Sequence, residues 1–305
     1  MYSINATETR KAFNTTITNA DLEEVQIWNS EDEPDAQRIH EYGYKPTPVF
    51  MGGDPNTSLM YGIELEVDNP TGNTNRNELA TYIHKNFGDK VYCKRDGSLT
   101  FGVEIVSHPA TLAYHMRKFD WASIIHACEV AHFSSHDTST CGLHIHVGRA
   151  ALGNTNDARD LCVAKMLIVF DKFYENEIYK ISRRRSLSEV SQWAAKNCAE
   201  IKNNDSRPAA LLKAKYCSDR NNRYTALNLC NTNTVEVRFF KGTLNPVSFA
   251  AAIQFVDSVV RYCKTHTLQE VVSCKFGDIV DMCRYPELRT YCERRGVNME
   301  ATGSL

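Results

Sequence analysis

Four short segments of this 305-residue chain interleave ionisable side chains with large apolar ones at every second position. GIELEV sets Glu64 and Glu66 against Ile63, Leu65 and Val67. In GVEIVS, Glu104 stands between Val103 and Ile105. In CGLHIHVG, His144 and His146 alternate with Leu143, Ile145 and Val147, and in TVEVRFF, Glu236 and Arg238 alternate with Val235, Val237 and Phe239. Side chains at i and i+2 of a strand share a face. Each segment therefore reads as a strand with one apolar face for a core and one face of carboxylate, imidazole or guanidinium. A solvated face is the ordinary explanation for any one such strand, yet solvated faces usually carry Lys, Thr, Ser and Gln. Carboxylates gathered on one sheet face would repel each other unless cations or phosphates lay among them. The expectation is that these strands line one cavity suited to metal and nucleotide.

Ligand hardness narrows the metal. Zinc favours compact clusters of Cys and His, whereas carboxylates outnumber imidazoles here. Hard oxygen ligands with one or two imidazoles suit Mg²⁺ or Mn²⁺ bridging phosphates. Arg238, two residues from Glu236, would project beside such an ion and balance phosphate charge as it shifts in phosphoryl transfer. Basic stretches offer further phosphate contacts: Lys213, Lys215, Arg220 and Arg223 before TALNL, and Arg183, Arg184 and Arg185 in SRRR. Arg223 is the best phosphate candidate among them, with a solvated basic loop as the plain alternative. Asp96 lies in a D-G-S sequence that equally suits an ordinary turn. His126 and His132, six apart, share no helix face and read as structural. Cys141 has no evident partner base and reads as packing.

These side chains need strands and helices to hold them. The patterns predict strands over 59–67, 98–108 and 142–148, and a pair, RYTALNL and NTVEVRFF, joined by a turn. Helices are predicted over 76–87, 111–133, 157–181 with Asn156 or Asp157 as cap, 188–201 and 246–266 with Pro246 in the first turn, then near 267–283 and 285–296. Interleaved strands and helices with antiparallel neighbours predict an α+β fold, one sheet with helices on its outer face. The chain divides into a polar N-terminal arm over 1–45, a catalytic domain over 46–266 and a helical extension of that domain over 267–305. Residues 21–35 carry seven acidic residues and no basic one, as expected of a solvated segment.

Composition excludes several classes. A net charge of −2 gives no overall attraction to nucleic acid or membrane. No run of 18 apolar residues exists, and the N-terminus lacks the apolar core of a signal peptide. Eleven cysteines without a C-x-x-C pair read as reduced thiols of a cytoplasmic protein. Walker A, G-x-G-x-x-G and H-E-x-x-H motifs are absent.

In order along the chain, YGIELEV, DGS with GVEIVSHP, CGLHIHVG, and RYTALNL before VEVRFFKGTLNP resemble the signature strands of the glutamine synthetase superfamily of carboxylate–amine ligases, in its amidoligase branch. The resemblance spans roughly residues 58–260. It implies a curved, mostly antiparallel sheet forming a funnel, with ATP entering one end and two or three Mg²⁺ (or Mn²⁺) ions on strand carboxylates. It implies an acyl phosphate made from a substrate carboxylate, then attack by an amine. By position, Glu64, Glu66, Glu104, Asp96 and His144 would bind metal, and His146 would face nucleotide phosphate. Glu236 would hold the ion near the β-phosphate and Arg238 would stabilise the transferring phosphoryl group. Lys215, Arg220 and Arg223 would serve the nucleotide. The implied partners are a small-molecule or peptide carboxylate and an amine, and assembly into a homo-oligomer is left open. Two other readings compete: a metal-dependent hydrolase built on H-x-H, and a non-catalytic nucleotide-binding protein of the same fold. The order E-x-E, H-x-H, E-x-R argues against the first, and retention of every strand residue against the second.

Overall fold

The computed structural model describes residues 38–304 apart from 70, 73–75, 203, 220 and 221. The acidic stretch 21–35 and most of the expected N-terminal arm lie outside the described residues, as does Arg220. The strands are β1 (Ile39–His40), β2 (Tyr61–Val67), β3 (Val91–Lys94), β4 (Val103–Ser107), β5 (Gly142–Gly148), β6 (Leu227–Asn228) and β7 (Thr234–Lys241). They form an open seven-stranded sheet in the order β1-β3-β4-β2-β5-β7-β6. The pairs β2–β4, β3–β4 and β6–β7 are antiparallel and β1–β3 is parallel. The mixed α+β class expected from the sequence is what the chain adopts.

The helices are α1 (Arg76–Phe87), α2 (Leu112–Arg117), α3 (Trp121–Val130), α4 (Asn156–Phe173), α5 (Tyr179–Ser182), α6 (Leu187–Ala194), α7 (Arg207–Asp219), α8 (Pro246–Thr265), α9 (Leu268–Ser273), α10 (Phe276–Val280) and α11 (Pro286–Arg294). The single helix expected over 111–133 is two, because Asp120 turns its carboxylate onto the Ser123 N–H and hydroxyl and starts a new helix there. The cap of α4 is Thr155 rather than Asn156 or Asp157, its hydroxyl accepting from Ala158 N. The long helix expected to 181 widens into a π-type turn over Tyr174–Ile178 before α5. Helix α7 and strand β3 arise where no element is expected.

Two compact units make up the chain. The first comprises Met1–Gly52, Ile63–Leu143 and Gly242–Ala250; the second comprises Gly53–Gly62, His144–Lys241 and Ala251–Leu305. In the first, Ile63, Leu65, Val67, Val103, Ile105, Val91 and Cys93 bury one strand face, with Leu79 and Ile83 of α1. Trp121 stacks on Phe119 at 4.6 Å and meets Phe249 at 4.7 Å, while its indole N–H donates to His115 Nδ1. Gly102 enters β4 so close to β2 that a Cβ there would lie 2.2 Å from the Val67 carbonyl oxygen.

The second unit is built around α4, whose residues Cys162–Phe173 are all buried. Phe170 packs on Phe239 at 5.4 Å, and Phe173 and Phe255 pack on Phe276 at 5.1 and 5.7 Å. Two lysines are enclosed with this apolar surface. Lys165 Nζ donates to the carbonyls of Cys263 and His266 at the end of α8, and Lys172 Nζ to those of Val272 and Cys274 at the end of α9. Each satisfies terminal carbonyls and sits at the negative end of a helix dipole. Fully buried Asp257 on α8 accepts from the Tyr61 and Tyr285 hydroxyls at 2.6 and 2.7 Å and from Arg261 Nε at 2.7 Å. All eleven cysteines are free thiols. Among the described residues, no helix is long and apolar enough to cross a membrane.

Candidate functional site

The polar strand faces are largely withdrawn from solvent. Glu66, Glu104, His144 and Glu236 are buried and Glu64, His146 and Arg238 half-buried, so a merely wetted sheet face does not account for them. The described carboxylate and imidazole side chains with the setting of metal ligands are Glu64 and Glu104 in the first unit and His144, His146 and Glu236 in the second.

In the first unit, register fixes the arrangement. Glu66 on β2 pairs with Glu104 on β4, and Glu104 pairs with Lys94 on β3. Directly paired residues on neighbouring strands point to the same side, so alternation adds Glu64 and Tyr92 to that face. Lys94 Nζ lies 2.9 Å from Glu104 Oε2 and 3.8 Å from Glu64 Oε1. Glu66 is held differently: its Oε2 accepts from the Gly142 backbone N–H at 2.5 Å. Burial, then the nearby Glu64 charge, pushes the Glu104 carboxyl well above its usual range despite Lys94. Burial works against the charge on Lys94, but Glu64 and Glu104 outweigh it and raise its pKa. Burial also pushes the Tyr92 hydroxyl up to about 12. A carboxylate under such strain as an anion is one that added positive charge would stabilise.

Lys94 is absent from the sequence expectations, because VYCK shows only a four-residue alternation. Asp96 serves its turn: its Oδ1 accepts from Ser98 N and the Ser98 hydroxyl. The loop that follows is fixed by buried Asp68, whose oxygens accept from Thr100 N and Phe101 N. Cys141 is a buried thiol pushed up to about 12 by desolvation, in keeping with packing rather than nucleophilic attack.

In the second unit, the β6–β7 hairpin sets Asn228 directly opposite Glu236. Asn228 Nδ2 donates to Glu236 Oε2 at 2.6 Å, and Asn231 Nδ2 approaches the same oxygen at 3.4 Å. The other oxygen, Oε1, takes the Arg238 guanidinium and lies 3.7 Å from His144 Nδ1. Glu236, Arg238 and His144 are thus one constellation, as their types and spacing suggest. His146 Nδ1 lies 3.2 Å from the Thr234 hydroxyl. The Arg238 guanidinium stands 5.8 Å from the Tyr224 ring centroid, and that of Arg223 stands 5.0 Å from the same ring. Arg223 therefore shares an aromatic platform with Arg238, while Lys215 is exposed on α7. Lys213 caps local structure through Asp205 and the Glu200 carbonyl. Arg184 is buried against the Phe239 and Phe240 carbonyls and Glu189, a structural role. Asn228, Asn231 and Tyr224 carry no signal in the sequence, since their roles depend on the hairpin.

The donor set passes a chemical test for a divalent cation: hard oxygens predominate, imidazole is the minority ligand, and a buried carboxylate lacks full charge compensation. No curated protein matches the chain. A family model described as "Putative amidoligase enzyme" matches residues 89–260, more than half of the chain, and takes in Lys94, Glu104, His144, His146, Glu236 and Arg238. The chain belongs to this amidoligase family.

Proposed function

We propose that the protein is an ATP-dependent carboxylate–amine ligase. The observation that carries this reading is the burial of Glu66, Glu104 and Glu236 on strand faces that a purely structural sheet would leave wet. Buried carboxylates in such number need cationic partners, and membership of an amidoligase family supports a ligation reaction. In this reading Glu64, Glu66 and Glu104 of the first unit and His144 and Glu236 of the second serve as ligands for two or three Mg²⁺ or Mn²⁺ ions, as in ligases of the glutamine synthetase type, with Asp96 a further candidate ligand. Bound ions would neutralise the polyphosphate and align it for in-line attack. His146 and Arg223 face nucleotide phosphate, with Lys215 and Arg220 as outer contacts.

The chemistry balances in two steps. An oxygen of the substrate carboxylate attacks the γ-phosphorus, the bond to the β-bridging oxygen breaks, and ADP leaves. The amine then attacks the acyl carbon of the resulting acyl phosphate, phosphate departs with the bonding pair, and the amine loses a proton. Arg238 acts on the first step. Its guanidinium, fixed by Glu236 and backed by Tyr224, offers planar donors and permanent charge to phosphoryl oxygens in transfer.

ADP release with Mg²⁺–ATP against pooled carboxylates and amines, with products read by mass, tests the reaction class. The expected product is an amide formed together with ADP and phosphate. Arg238→Ala should lower kcat by roughly 10²- to 10⁴-fold with little change in ATP binding, and Arg238→Lys should recover only part of it. Turnover without ATP, or near-normal turnover in Arg238→Ala, would overturn the reading.

A further inference from the structure

We propose that the Lys94 ammonium is an internal stand-in for a divalent ion, occupying the Glu64–Glu104 pair until the ion displaces it; this rests on the metal reading above. Lys94 ends β3, in register with Glu104. Its Nζ faces Glu104 Oε2 at 2.9 Å and Glu64 Oε1 at 3.8 Å, with the Tyr42 ring centroid 5.8 Å away. The Lys94 side chain is 14% exposed and that of Glu104 3%, so water screens the pair weakly.

Glu64 and Glu104 both have the setting of metal ligands, and one oxygen of each already faces Nζ. An ammonium and a dication within about 4 Å of each other in a poorly hydrated site repel strongly. The two cannot both neutralise Glu64 and Glu104, and entry of the ion means departure of the ammonium. A lysine suits such a gate better than arginine. Its charge is compact and rides on a flexible four-carbon stem, so it leaves without unmaking a rigid two-pronged contact. Glu66, paired with Glu104 across the strands, gives its Oε2 to the Gly142 N–H instead. In the absence of an ion the ammonium offsets part of the negative charge on Glu64 and Glu104, and it sets a threshold that the ion must overcome.

The test is Mn²⁺ binding by calorimetry to the full chain without nucleotide, in wild type, Lys94→Met, Lys94→Gln and Lys94→Arg. The neutral variants should bind Mn²⁺ about 10-fold or more tightly than wild type, as removal of a close like charge requires. Lys94→Arg should show no gain, and adding Glu64→Gln to Lys94→Met should erase it. Amine labelling read by mass spectrometry needs no variant: Mn²⁺ alone should make Lys94 of the wild-type protein several-fold more reactive. If wild-type Mn²⁺ binding depends on Glu64 but neutral variants bind no more tightly, or if Mn²⁺ leaves Lys94 labelling unchanged, the gate is refuted and the metal reading stands. If neither wild type nor the neutral variants bind Mn²⁺, with or without an ATP analogue, both fall.

Discussion

Replacing Asp257 with alanine should be among the most damaging single changes in the second unit. The carboxylate is fully buried and takes the hydroxyls of Tyr61 and Tyr285 and the Arg261 Nε, with the Cys283 thiol a weaker donor at 3.7 Å. Arg261 is 47% exposed at its side chain and can turn to water; Tyr285 is partly exposed and can do the same. Tyr61 is 0% exposed, so its hydroxyl would be orphaned. An unsatisfied buried hydroxyl costs about 1–3 kcal/mol, and each hydrogen bond to a charged acceptor contributes about 1.5–3 kcal/mol before water replaces it. With two donors rehydrated, the expected loss is roughly 3–5 kcal/mol. Urea unfolding followed by circular dichroism measures it, with an unchanged slope confirming that both proteins unfold alike. A double-mutant cycle sharpens the argument. Tyr61→Phe removes the orphan, so its cost should fall by about 1–2 kcal/mol, or reverse sign, when Asp257 is already alanine. A loss below about 1 kcal/mol, or an equal cost of Tyr61→Phe in both backgrounds, would refute the reasoning.

Other outcomes follow from the same geometry. Desolvation first, and Asp257 second, hold the Tyr61 hydroxyl well above its ordinary value of about 10. A raised folded-state value means stability fully present below pH ~10 and lost as pH rises further, so between pH 10 and 11 wild type should lose stability more steeply than Tyr61→Phe. Lys165→Met strips the Cys263 and His266 carbonyls of this donor and should cost about 2–4 kcal/mol, read as a lowered urea midpoint. Gly102→Ala would force a methyl into the Val67 carbonyl and should cost about 2 kcal/mol or more, read the same way.

The strands that carry the site are legible because period-2 alternation survives without tertiary context. Ile63, Leu65 and Val67, and Leu143, Ile145 and Val147, are all fully buried, as the alternation requires. What alternation does not report is that Glu66, Glu104, His144 and Glu236 on the opposite face are buried too, since that depends on the packing around them. Helix α1 matches its expected bounds because its apolar spacing is regular. The helices around 117–121 and 174–178 are misjudged for local reasons: Asp120 competes for helix N–H groups, and a π-type turn leaves the apolar pattern unbroken. Strand β3 is invisible since four residues carry too little periodicity, and with it goes Lys94. Asn228 is invisible because its bond to Glu236 exists only once the hairpin sets the register.

The hydrogen bonds that Gly142 and Asn228 make to single carboxylate oxygens bear on ion selectivity. Glu66 gives Oε2 to a backbone N–H, and Glu236 gives Oε2 to an amide N–H fixed by strand pairing. If these glutamates ligate an ion, as the proposed function has it, chelation through both oxygens would orphan a buried donor. Calcium gathers six to eight oxygens and readily takes carboxylates as two-pronged ligands, whereas magnesium demands six in a tight octahedron and accepts them singly. Denticity limited in this way discriminates by coordination number rather than by charge. On the proposed function it would disfavour the larger ion at these two glutamates.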